Sequence, residues 1–152
     1  EAGFQHLYYH GQTLMNGRET SLTAGYGCQT PAGRQIRVEA GILKNQAVSS
    51  DRPGGDRQGW NLRLDWQTAL ARGELSAQLG YAHLDDGRGY SPLLENGTTR
   101  EVASSYLNLR YKYPLARRFA MLVNLTHQQQ HSNLGPFQNR GTAVEVGLAL
   151  DF

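Results

Sequence analysis

The last eight residues, Glu145 to Phe152, alternate apolar with polar or small side chains and end on an aromatic ring. Side chains of an extended strand point alternately to opposite faces. Val144, Val146, Leu148, Leu150 and Phe152 therefore share one face, and Ala143, Glu145, Gly147, Ala149 and Asp151 share the other. Such a segment needs two unlike environments, one apolar and one that tolerates charge, and it steers the chain toward sheet.

The same period of two recurs along the chain in eight segments, near residues 3–11, 20–29, 34–45, 58–70, 73–84, 101–114, 118–131 and 140–152. Their apolar face runs through Leu22, Ala24 and Tyr26; Ile36, Val38, Ala40 and Ile42; Trp60, Leu62, Leu64 and Trp66; and Leu75, Ala77, Leu79 and Tyr81. It continues through Leu107, Leu109, Tyr111 and Tyr113, then Phe119, Met121, Val123 and Leu125. In the first segment Phe4 and Tyr8 compete with Leu7 and Tyr9 for that face.

The connections sort into two kinds. Tight turns follow the second, fourth and sixth segments, at Thr30-Pro31-Ala32-Gly33, Leu70-Ala71-Arg72-Gly73 and Pro114-Leu115-Ala116-Arg117. Long polar stretches rich in Gly, Pro, Ser and Asn follow the others, around 11–20, 45–59, 85–100 and 132–140. Short turns at one rim and long loops at the other are the layout of an outer-membrane β-barrel, with both termini on the periplasmic side. Phe4, Tyr26, Tyr113, Phe119 and Phe152 then fall at the periplasmic rim and Trp60 and Tyr81 at the outer one, where aromatic rings are enriched.

The opposite face carries Arg37, Glu39, Arg63, Asp65, Glu74, Arg110, Lys112 and Glu145, four cations against four carboxylates. Closed on themselves, eight strands leave a bore only wide enough for side chains. These charges are then expected to form a paired network, because buried charge is tolerated only when paired.

Composition removes several classes. The longest aliphatic or aromatic run is Phe119 to Val123, far short of the ~18 residues of a membrane helix. A net charge of +2 with scattered Lys and Arg argues against a nucleic-acid partner. Cys28 is the single cysteine, so no intrachain disulfide forms. His6 and His10 lack the carboxylate or cysteine companions of a metal site, and neither metal nor cofactor is expected. His83 with Asp85 reads as a solvated rim pair, and Asn96-Gly97-Thr98 matches a glycosylation acceptor out of place in a bacterial barrel.

Glu145, Gly147, Leu150 and Phe152 occupy the polar, glycine, apolar and aromatic positions of a pattern that resembles the C-terminal insertion signal of bacterial outer-membrane barrels. That resemblance implies recognition by the barrel assembly machinery. From about Asp51 onward, Arg52-Pro53-Gly54-Gly55-Asp56-Arg57, Gly89-Tyr90-Ser91-Pro92-Leu93-Leu94, Ser132-Asn133 and the stretch from Gly147 to Phe152 resemble the C-terminal barrel of proteins with periplasmic tetratricopeptide repeats, such as surface lipoprotein assembly modulators. This implies an export barrel of more than eight strands, with the repeat domain upstream of Glu1. The chain starts without Met or a leader and is expected to be a mature form or an excerpt.

Ser132, Asn133 and Glu145 also resemble the motif of lipid A deacylases, which are eight-stranded barrels. The chain departs from that motif. Gln130 stands two before Ser132 and His131 is adjacent, so a regular strand points His131 to the opposite face. A serine nucleophile needs its base within hydrogen-bond reach.

The expected structure is all-β: an antiparallel up-and-down transmembrane β-barrel with eight strands in this chain. Residues 1–152 form one outer-membrane barrel domain or the C-terminal part of a larger barrel. The expected function is non-enzymatic, in transport, export or surface scaffolding, with outer-membrane lipid, lipopolysaccharide and the assembly machinery as partners. Two alternatives stand beside it. One is a deacylase-like lipid A hydrolase, with Ser132, His131 and Glu145 as candidate catalytic residues. The other is a soluble up-and-down barrel binding a small ligand, its apolar face turned inward.

Overall fold

The computed structural model describes residues 2–8, 10, 12–31, 33–91, 93 and 97–150. Eight strands form one antiparallel sheet in chain order: β1 (Ala2–Leu7), β2 (Gly17–Gln29), β3 (Gln35–Ala47), β4 (Arg57–Leu70), β5 (Gly73–Gly89), β6 (Thr99–Ala116), β7 (Phe119–Ser132) and β8 (Asn139–Leu150). One-turn 3-10 segments at Thr13–Met15 and Gly135–Phe137 interrupt two of the loops. Each strand pairs with its sequence neighbours, β1 and β8 do not pair among the described residues, and the sheet is open.

The turn geometry follows from local chemistry. Between β4 and β5 the turn is Ala71-Arg72 alone, closed by the Leu70–Gly73 pair, and Ala71 takes a left-handed φ of 53°. Between β6 and β7 the register shifts between Pro114 and Ala116, so the chain reverses at Arg117-Arg118, two residues later than the sequence suggests. A proline has no N–H for the ladder and is accommodated at such an irregularity.

Register decides the face of every residue. In β1 it places Phe4 level with Thr20 and Ala2 level with Leu22, so Phe4 and His6, not Leu7, lie on the apolar face. The Phe4 and His6 rings meet edge-on at 5.1 Å, and His6 stacks on Tyr8 at 5.9 Å. On the other face, a Cβ on Gly80 would overlap the Tyr106 ring, its cross-strand partner, so only glycine lets that ring lie flat.

All strands lie in one sheet, and no described element covers its apolar face. Leu22, Tyr26, Ile42, Leu62, Val144, Val146 and Leu148 are exposed, Leu148 by 74 %. The buried apolar side chains among the described residues are Val102, Ala120 and Leu134. Val102 and Ala120 lie on the polar face, in register with Leu84 and Ala149.

Candidate functional site: a polar face, its loop cluster and an apolar band

The eight charges picked out from the sequence occupy the polar face, but they do not form one network. The linked centre spans β3, β4 and β5. Arg37 Nη2 meets Glu39 Oε1 at 2.6 Å, Arg63 Nε lies 2.9 Å from Asp65 Oδ2 and 3.9 Å from Glu39 Oε2, and Gln78 Nε2 donates to Asp65 Oδ1 at 2.7 Å. Arg37–Glu39 and Arg63–Asp65 are pairs two residues apart on one strand, and cross-strand register links them, since Glu39 faces Arg63 and Asp65 faces both Arg37 and Gln78. Glu74 instead accepts from Gln67 Nε2 at 2.8 Å, and Glu145 accepts from Asn124 Nδ2 at 3.3 Å. Lys112 is in register with Glu74, and Arg110 has no ion pair among the described residues. A sheet face made this way offers amide, carboxylate and guanidinium groups side by side.

Ser132, His131 and Glu145 are not brought together. His131 lies on the apolar face opposite Ala103, bonded through Nε2 to Gln129 Nε2 at 2.7 Å, whereas Ser132 lies on the polar face opposite Val102. The Ser132 hydroxyl donates to the Glu101 carbonyl at 2.7 Å and accepts from Leu134 N at 3.2 Å. Glu145 pairs with Asn124, eight residues down β7 from Ser132 and roughly 26 Å along the strand. Asn133 accepts from Glu101 N at 2.9 Å and donates to the Thr99 carbonyl at 2.7 Å. Ser132 and Asn133 thus extend the β6–β7 ladder with side chains after the backbone has left it.

A second polar cluster, read from the sequence only as loop, lies at the long-loop end of the same face. Arg57 is in register with Asp86, whose side chain is 1 % exposed. Arg57 Nε lies 3.2 Å from Asp86 Oδ1 without hydrogen-bond alignment, and Arg100 Nη2 donates to the same oxygen at 3.1 Å. The Arg100 guanidinium also sits 4.8 Å from the Tyr90 ring centroid and 4.6 Å from that of Phe137, a geometry that favours a cation. Arg52, 3 % exposed, donates through Nε to the Gly55 carbonyl at 2.7 Å and through Nη1 to Asn45 Oδ1 at 2.5 Å. Gly54, at φ 77°, lies so close to the Asp86 carboxylate that a Cβ there would collide with it. The signals in the sequence were the Gly54-Gly55 pair between Arg52 and Arg57 and the matching of Arg57 with Asp86 across a hairpin.

The opposite face carries an apolar band of nearly constant width. From β3 to β8 each strand contributes four alternate residues: 36–42, 60–66, 75–81, 107–113, 119–125 and 144–150. β2 contributes Leu22, Ala24 and Tyr26. At the loop end the band gives way to Thr20, Lys44, Gln58, His83, Ser105, His127 and Thr142, one on each strand from β2 to β8. This border is oblique to the pairing. The row Val144, Leu125, Leu109, Ala77, Trp66, Ile36 and Cys28 starts at the loop-end border on β8 and leaves the band at its turn end on β2. Trp60 and Tyr81, 5.3 Å apart, mark the loop-end border on β4 and β5.

Glu145, Gly147 and Leu150 of the terminal pattern lie in β8, while Phe152 is outside the described residues. Among the described residues no group of three or more His, Cys, Asp or Glu is placed to hold a metal. No family model, curated protein or solved structure matches the chain.

Proposed function

We propose that the chain is part of an integral β-barrel of the bacterial outer membrane, forming the wall of a transport or export conduit and having no catalytic role. The carrying observation is the exposed apolar band with its oblique border. Leu22, Ile42, Leu62, Val146 and Leu148 are exposed on one face, as a lipid-facing surface requires, and the other face bears the charged hydrogen-bond networks that suit a lumen. β2 to β8 hold 12 to 18 residues, longer than the ~9–11 that a tilted strand needs to cross a bilayer. Closing a barrel requires tilted, staggered strands, and the oblique border has that stagger.

Lipid offers no hydrogen bonds, so the free edges of β1 and β8 must be completed. The open sheet favours completion by further strands, with Arg37, Arg63, Arg110 and Lys112 lining the enlarged lumen. Those strands belong to the same protein, consistent with an upstream periplasmic repeat domain, and the assembly machinery recognises Glu145, Gly147, Leu150 and Phe152. The two termini are then periplasmic and the long loops external. A closed eight-stranded surface scaffold is the second reading. It is favoured by the loop ties: Arg88 donates to the Ser50 carbonyl, and Arg100 is held between Tyr90 and Phe137 from two different loops.

The test is insertion into vesicles of brominated lipid. Trp60 and Trp66 both lie on the apolar face, so in single-tryptophan variants each should be quenched; unquenched emission from folded protein would refute the membrane assignment. Planar-bilayer conductance then separates the two roles, since a closed eight-stranded bore filled by side chains should be nearly silent.

A further inference from the structure

We infer that the apolar face carries a groove for one membrane lipid with a net anionic phosphate headgroup, lying across β2, β3 and β4 at the loop-end border. This rests on the membrane assignment and adds a specific partner to it. A groove of about 600 Å³ has Thr20, Lys44 and Gln58 at its polar end and Leu22, Ile42 and Trp60 at its apolar end. A second, of about 320 Å³, shares Leu22, Ile42 and Trp60 and continues toward the turns over Ala24 and Ala40. The furrow exists because Ala24 and Ala40 face each other across β2 and β3, with larger neighbours Leu22, Ile42 and Leu62 around them. Its lining of Leu22, Ala24, Ala40, Ile42, Trp60 and Leu62 is suited to an acyl chain.

Charge selects the headgroup. Arg18 and Lys44 are diagonal neighbours on one face of β2 and β3, about 7–8 Å apart at the backbone. Both are exposed, and neither has an ion pair among the described residues. The carboxylate on the groove wall, Asp85, is engaged by His83 Nε2 at 3.0 Å. Two unpaired cations above an apolar furrow fit an anionic phosphate attached to a hydrocarbon chain. A soluble anion would leave the furrow unused.

The test uses the full chain folded in vesicles containing equal phosphatidylglycerol and phosphatidylcholine, extracted gently, with retained lipid counted by native mass spectrometry. Wild type should keep phosphatidylglycerol over phosphatidylcholine by about ten-fold. Arg18→Gln with Lys44→Gln should bring the ratio near parity. Ala40→Leu, which fills the furrow without removing charge, should lower retention of both lipids. Parity in wild type, or a preference that survives the double substitution, overturns the site. Complete displacement by inorganic phosphate overturns the lipid as occupant. Failure to fold into vesicles of either lipid would instead remove the membrane assignment and the groove with it, whereas folding without preference removes the groove alone.

Discussion

Replacing Asp86 by Asn leaves Arg57 and Arg100 without a counter-charge in a place where the Asp86 side chain is 1 % exposed and Arg100 is 8 % exposed. Removing one partner of such a pair costs about 3–5 kcal/mol. Urea unfolding of Asp86→Asn should show that loss, and a loss below about 1 kcal/mol would mean that water already screens the cluster. Gly80→Ala tests shape instead of charge. It should cost about 1–3 kcal/mol, because the added methyl meets the Tyr106 ring, and Tyr106→Ser in the same chain should recover most of it. A double variant no more stable than Gly80→Ala would place the strain elsewhere. Neither Asp86 nor Gly80 was picked out from the sequence, because their roles depend on which residues lie opposite on β4 and β6, and an alternation pattern does not fix the register. The Ser132–Asn133 pair failed in the other direction. It looked chemical in one dimension, and its atoms are spent on the backbone of β6.

At the scale of strands, Leu79→Arg separates the two environments open to the apolar face. Leu79 is in the middle of the β5 stripe and exposed. In a bilayer the substitution should cost about 2–4 kcal/mol, and in water almost nothing. Folding measured in vesicles, against an Arg at the border position Ser105, gives the difference. The strands were legible in the sequence wherever apolar residues alternate, which is why β3, β4 and β7 match their expected spans closely. They were illegible beyond the band. β2 starts at Gly17 and β5 runs on to Gly89, where Arg18, Glu19, Asp85 and Asp86 give no apolar period, and backbone pairing with polar and ionic side-chain contacts maintains the sheet. The β1 face could not be chosen from its sequence, since aromatic rings occur at both parities, and pairing with β2 decided it.

For the whole molecule the informative quantity is what completes the edges. In a Cys28→Ser background, cysteine pairs stepped along the polar face of β1 at 3, 5 and 7 and of β8 at 143, 145 and 147 should stay uncrosslinked within one chain if further strands intervene. Efficient intramolecular disulfides at one register would show a closed eight-stranded barrel and favour the scaffold role. The up-and-down order was legible because three tight turns pair their flanking strands directly and sequential strands tend to lie side by side, although the β6–β7 turn falls two residues later than its Pro114 signal suggested. Openness was not legible, since β1 and β8 each carry a complete alternating face whether or not a partner lies beyond it.

The oblique border also bears on how strands find their places. A slip of one residue would turn a strand inside out, whereas a slip of two preserves both faces and costs little in backbone pairing. Against a border of fixed height, however, a two-residue slip carries a strand about 6.6 Å along its axis and puts Lys44, His83 or His127 where Ile42, Tyr81 or Leu125 belongs. The bilayer would then act as a ruler laid across the growing sheet, rejecting misaligned additions that hydrogen bonding alone would accept.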